Sequence, residues 1–130
     1  MTHEITVPIS PGELLDTITI LRIKSQRMTD PVKLENVRIE LNALEEVWRN
    51  SRFNQTQVAA DIEALQSVNE RLWTIEDDIR EQERRKDFGP EFVRLARAVY
   101  VENDQRAAIK RRINLSLGSS IVEEKSYAAY

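Results

Sequence analysis

A chain of 130 residues in which 41% are hydrophobic and 32% charged has material for one hydrophobic core and is too apolar for disorder. Cysteine is absent and His3 is the only histidine. This excludes disulfide frameworks, Cys-His and Ser-His-Asp catalysis within one chain, and the common zinc sites, and neither a metal nor a cofactor is expected. A net charge of -3 with a pI near 5.3 argues against a dedicated nucleic-acid binder, whose affinity comes mostly from neutralising phosphates.

No run approaches the roughly 18 apolar residues of a membrane span. The start, MTHEITVPIS, has neither the basic nor the apolar region of an export signal. The expectation is a cytoplasmic, single-domain protein over residues 1–130 without a membrane partner.

In chain order, Ile5, Val7 and Ile9 alternate with period two and suggest a short strand, against which Pro8 counts because it cannot donate to a ladder. Ser10-Pro11-Gly12-Glu13 then has the form of a capping box with proline at the first helical position. The helix it opens carries Leu14, Ile18, Leu21, Ser25 and Met28 on one face. Asp30-Pro31 stops it near Met28 and starts a second, with Leu34, Val37, Leu41, Leu44 and Trp48 in its stripe. The pattern fades over Asn50-Ser51-Arg52-Phe53-Asn54, a loop.

From about Gln55 the period resumes through Val58, Ile62, Leu65, Asn69, Leu72, Glu76 and Ile79, for a helix of about 30 residues and about 45 Å. Asp87-Phe88-Gly89-Pro90 reads as a tight turn, with Gly89 closing the third helix and Pro90 opening the fourth. The last seam is Phe92, Leu95, Val99, Glu102, Arg106, Ile109 and Ile113, ended by Gly118. SSIVEEKSY is a candidate strand that pairs with the first segment and buries Tyr127, or else, through Lys125 and Tyr127, a cover over the bundle. The fold class is therefore all-α: an antiparallel bundle of about four helices built on the long third-fourth hairpin, the two shorter helices packing along it.

Polar residues inside apolar seams are the informative ones. A hairpin turning at Phe88 sets Glu76 level with Glu102, Leu72 with Arg106 and Asn69 with Ile109. Asn69, Glu76, Glu102, Asn103 and Arg106 then make a polar band across the bundle, with Glu102 and Arg106 spaced to pair on one helix. Two readings stand. The band is a structural network that sets register, or it lines a pocket in which Arg106 and Lys110 hold an anion and a carboxylate handles a proton. The basic runs Arg84-Arg85-Lys86 and Lys110-Arg111-Arg112 fit helix C-termini, where cations complement the dipole. Glu13 with Asp16, and Asp78 with Glu81, have the i, i+3 carboxylate spacing of magnesium-dependent nucleotide hydrolases.

The segments SPGELLDTITILRIKSQRM, VNERLWTIEDDIRE, ERRKDFGPEFVRLARAVYVENDQRAAIKRRIN and VEEKSYAAY resemble, in order and over nearly the whole chain, a bacterial family catalogued as a domain of unknown function. The resemblance implies a setting beside glycosyltransferases and other surface-polysaccharide enzymes, and it implies no catalytic residue. In class alone the chain is also similar to the all-helical chorismate mutases, dimers in which Arg and Lys grip a dicarboxylate. Arg22, Lys24, Arg106 and Lys110 are the residues here that such a role would recruit. The expectations are a homo-oligomeric helical module for a protein partner or a small anionic ligand, accessory to cell-envelope glycan synthesis, or else a small cofactor-free enzyme acting on an anionic metabolite or a magnesium-dependent nucleotide hydrolase.

Overall fold

The computed structural model describes residues 3–53 and 55–130; Asn54, the last residue of the expected loop, lies outside them. The described residues form four α-helices, α1 Pro11–Arg27, α2 Pro31–Arg49, α3 Ala59–Arg84 and α4 Pro90–Ser116, with a 3-10 turn over Thr56–Val58 before α3.

Each boundary has a local cause. The Ser10 hydroxyl accepts the Glu13 N–H, and Pro11 occupies the first turn of α1. Asp30 Oδ1 accepts the N–H groups of Val32 and Lys33 at the start of α2. Gly118, at φ 67, ends α4: its N–H goes to the Leu115 carbonyl and that of Ser119 to the Asn114 carbonyl, the paired bonds of a glycine C-cap.

The end of α3 departs from expectation. The left-handed residue that closes it is Lys86, at φ 56, with its N–H on the Glu83 carbonyl and that of Asp87 on Gln82. Gly89 is instead the N-cap of α4. The chain therefore turns earlier than a turn at Phe88 requires. Arg71 meets Glu102 and Asn69 meets Arg106, where the expected partners were residues 76 and 72, so the register is moved by about one helical turn.

α3 and α4 pack antiparallel over most of their length, and α1 fills the groove between them, parallel to α3. The core forms where these three meet, around Leu15, Ile18, Leu65, Val68 and Ile113, all at most 2% exposed. α2 was expected along the hairpin. It packs back along α1, because only Met28, Thr29 and Asp30 join the two and α1 already occupies the groove. Its Trp48 completes the core, stacked on Phe53 with centroids 6.5 Å apart. Among the described residues no helix is long and apolar enough to cross a membrane.

The expected pairing of terminal strands is not formed: no strand occurs among the described residues. Ile5 and Val7 are exposed, and residues 119–130 lie instead along α4. Tyr127, expected to be buried, is 82% exposed. Side-chain ion pairs with α4 give the C-terminal segment a partner, whereas Pro8 denies the first segment a backbone donor.

Candidate functional site: a cationic groove at Arg106

Asn103, Arg106, Lys110 and Asn114 recur at steps of three and four, so they share one face of α4. That face looks onto α1, whose Gly12, Asp16 and Thr19 form the matching stripe. At one end the Gly12 N–H donates to Asn114 Oδ1 at 2.7 Å, both residues being buried. A Cβ on Gly12 would lie 2.6 Å from the Lys110 carbonyl oxygen, so α1 approaches α4 this closely because the residue is glycine.

One turn along, Lys110 Nζ donates to Glu13 at 2.7 Å and lies 3.7 Å from the buried Asp16 and 3.5 Å from Glu123. Burial alone would lower the Lys110 pKa. The hydrogen bond to Glu13 and the charges of Asp16, Glu13 and Glu123 outweigh it and hold the pKa above the usual lysine range. The ammonium is thus a fixed positive charge. It also takes the carboxylate of Glu13, which a capping box would turn back toward Ser10.

At the middle of the bundle Asn69, 4% exposed, donates from Nδ2 to Asp16 Oδ1 and to Thr19 Oγ1, each at 2.9 Å. Its Oδ1 accepts from Arg106 Nη1 at 3.3 Å, while Arg106 Nη2 donates to Asn103 Oδ1 at 2.6 Å. Arg106 is half-buried and is held by two amide oxygens. Among the described residues it has no ion-pair partner.

The tail closes the surface beside it. Glu124 pairs with Arg111 at 2.8 Å, and Lys125 pairs with Glu123 at 2.8 Å. The Tyr130 hydroxyl donates to Asp104 at 2.6 Å, and its ring meets Tyr100 edge to face at 5.1 Å between centroids. The hydrogen bond to the Asp104 carboxylate holds the Tyr130 phenol above its ordinary pKa. Between tail and helix lies a groove of about 720 Å³ whose walls include Arg106, Lys110, Lys125, Tyr100, Tyr127 and Tyr130. A second groove, of about 520 Å³, runs between α1, α3 and α4 over Ile20, Leu72 and Trp73. Asn103 and Arg106 line both.

Of the band expected from the sequence, Asn69, Asn103 and Arg106 come together, with Lys110 one turn along α4. Glu76 lines the second groove and pairs with Arg80. Glu102 departs: it faces Arg71 at 2.9 Å, so neither the expected Glu76–Glu102 pair nor the Glu102–Arg106 pair forms. The register set at Lys86 is the reason. Lys110-Arg111-Arg112 also lie before the last turn of α4, which ends at Ser116. They pair with other segments of the chain, Arg112 with Asp61 on α3 at 2.7 Å among them.

Comparison with protein-family models, curated proteins and solved structures finds no match. The chemistry of the site must be read from its own residues.

The carboxylate pairs are each engaged by cations, Glu13 and Asp16 by Lys110, and Glu81 by Arg84 and Arg85. Among the described residues no three His, Cys, Asp or Glu side chains converge to hold a metal ion. Of the basic residues a dicarboxylate site would recruit, Arg22 pairs with Glu45 on α2 and Lys24 lines the second groove. Thr19 and Asn114 carry no expectation from the sequence, and Asp16 enters there only as half of a carboxylate pair with Glu13. Their signal is the stripe Gly12-Asp16-Thr19 beside the apolar face of α1, which gains meaning once it meets the polar stripe of α4. Tyr100 and Tyr130 become site residues only through the course of the tail.

Proposed function

We propose that the protein is a helical binding module for a small anionic ligand, taken up in the groove between α4 and the C-terminal tail with Arg106 as its anchor. The observation that carries this is the guanidinium of Arg106, half-buried, oriented by Asn69 and Asn103, and without a carboxylate partner among the described residues. Buried or half-buried cations are ordinarily paired. A planar donor fork held by neutral amides keeps its charge free for a carboxylate or phosphate, which it binds in bidentate fashion. Lys110 and Lys125 stand on the same walls, each already paired with carboxylates, so Arg106 is the cation there whose charge is uncommitted. The family resemblance supplies the context in which to seek the ligand, the reactions of cell-envelope glycan synthesis.

The test is calorimetric titration with inorganic pyrophosphate of the wild type and of Arg106→Gln, which retains an amide donor for Asn69 and Asn103. The reading expects saturable binding that weakens at least about tenfold in the variant, the worth of one charge-assisted contact. Equal binding by both proteins, or none by either, contradicts it.

A second reading, association of copies of the chain, is favoured by the outer face of α2. Val32, Ile39 and Val47 are 72%, 61% and 56% exposed there, a stripe at steps of seven and eight. Light scattering at rising concentration checks it: a constant monomer mass contradicts association.

A further inference from the structure

The walls of the tail groove divide into three chemistries, and together they specify more than an anion. Toward one end stands the guanidinium of Arg106, beside Lys110 and Lys125, whose ammonium groups are paired with carboxylates. At the other the rings of Tyr100 and Tyr130 are locked edge to face, and Tyr127, 82% exposed, offers a ring among small residues, Ala128 and Ala129. Asp104 lies on the same walls and keeps acceptor capacity beyond the hydrogen bond it takes from Tyr130. A bare phosphate gains nothing from the rings and is repelled by Asp104. A fatty acid or other hydrocarbon anion leaves that carboxylate unmatched.

We infer that the ligand is a nucleoside phosphate, its phosphate on Arg106, its ribose hydroxyls donating to Asp104 and its base against the tyrosine rings. This deepens the anion-binding reading and rests on it. A carboxylate that accepts from ribose hydroxyls and aromatic faces that stack bases are general devices of nucleotide recognition. The groove, about 720 Å³, is of the size that encloses ligands of this class. Beyond Glu123 on Lys110, the last residues of the tail are tied to α4 by exposed contacts, the Tyr130–Asp104 hydrogen bond, the Tyr130–Tyr100 ring contact and the Glu124–Arg111 pair, so this end of the tail can shift to admit a base.

The experiment is titration of the full chain with AMP, UMP, ribose 5-phosphate and inorganic pyrophosphate, repeated with Tyr127→Ser and Tyr100→Ser. The inference expects AMP or UMP to bind at least about fivefold more tightly than ribose 5-phosphate, the lower end of what base stacking contributes, and expects that margin to shrink in the tyrosine variants. Tyr127 is so exposed that its replacement leaves the fold intact, as circular dichroism would verify. If pyrophosphate binds through Arg106 while the base adds nothing and the tyrosines are silent, the nucleoside assignment is overturned and anion binding stands. Equal affinity for ribose 5-phosphate and the nucleotides likewise replaces the base-bearing class with sugar phosphates. Should no phosphate compound bind, both readings fall.

Discussion

Replacing Gly12 by alanine gives a prediction whose sign separates the structure from helix propensity. On propensity alone the change favours α1, since glycine is up to about 1 kcal/mol worse than alanine inside a helix. In the structure the new methyl would lie 2.6 Å from the Lys110 carbonyl oxygen and 2.8 Å from Asn114 Oδ1. The first is backbone and cannot rotate away, so α1 must separate from α4. Overpacking of this kind costs about 1–3 kcal/mol. Separation also stretches the buried Gly12 N–H bond to Asn114, and a buried donor left unsatisfied costs a further 1–3 kcal/mol or so. Setting the propensity gain against these terms leaves a net destabilisation of about 1–5 kcal/mol. Urea unfolding followed by the fluorescence of Trp48 and Trp73 measures it. With a slope of about 2 kcal/mol per molar for a chain of this size, the midpoint falls by about 0.5–2.5 M. A midpoint equal to or above wild type would refute the close approach of α1 to α4.

Other predictions follow from the same contacts. Asn69→Ala removes a donor from the buried Asp16 and a partner from Arg106, and it should lower stability by about 2–4 kcal/mol in the same urea assay. Lys86→Gly relieves a left-handed lysine at φ 56 and should raise stability by up to about 1 kcal/mol, read as a higher midpoint at unchanged slope. The Glu123 carboxyl is held below its ordinary pKa of 4.5, first by its hydrogen bond to Lys125 and then by the charge of Lys110. A depressed carboxyl contributes fully above its unfolded value and loses that contribution as pH falls through the folded value. The Glu123–Lys110 contact of the tail should therefore be constant from pH 7 to 5 and weaken below about 4.5, seen as greater backbone motion of residues 119–130 in NMR relaxation while the helices stay ordered.

The helices were legible in the sequence because their punctuation is local. Ser10, Asp30 and Gly118 each act within a few residues, and the apolar periods name the core from Leu14 to Ile113. The hairpin register was not legible, because it depends on which residue takes the left-handed position. Gly89 is the cheaper choice by propensity, yet Lys86 takes it, and one turn of register decides whether Arg106 lies level with Leu72 or meets Asn69. The path of the tail depends on side-chain pairs, Glu124 with Arg111 and Tyr130 with Asp104, and the packing of α2 on α1 depends on α1 having taken the groove of the hairpin. Neither leaves a periodic trace. Arg106 was nonetheless recognisable as a charge in an apolar seam.

The most direct test of an anion site anchored at Arg106 is a two-dimensional amide NMR titration with pyrophosphate at physiological ionic strength. The account predicts saturable shifts concentrated at Asn103, Arg106 and Lys110 and in the tail from Lys125 to Tyr130, with the Arg106 side-chain Nε–H signal moving alongside them. Shifts scattered over exposed basic residues such as Arg38 and Arg97, with Arg106 unmoved, would contradict it.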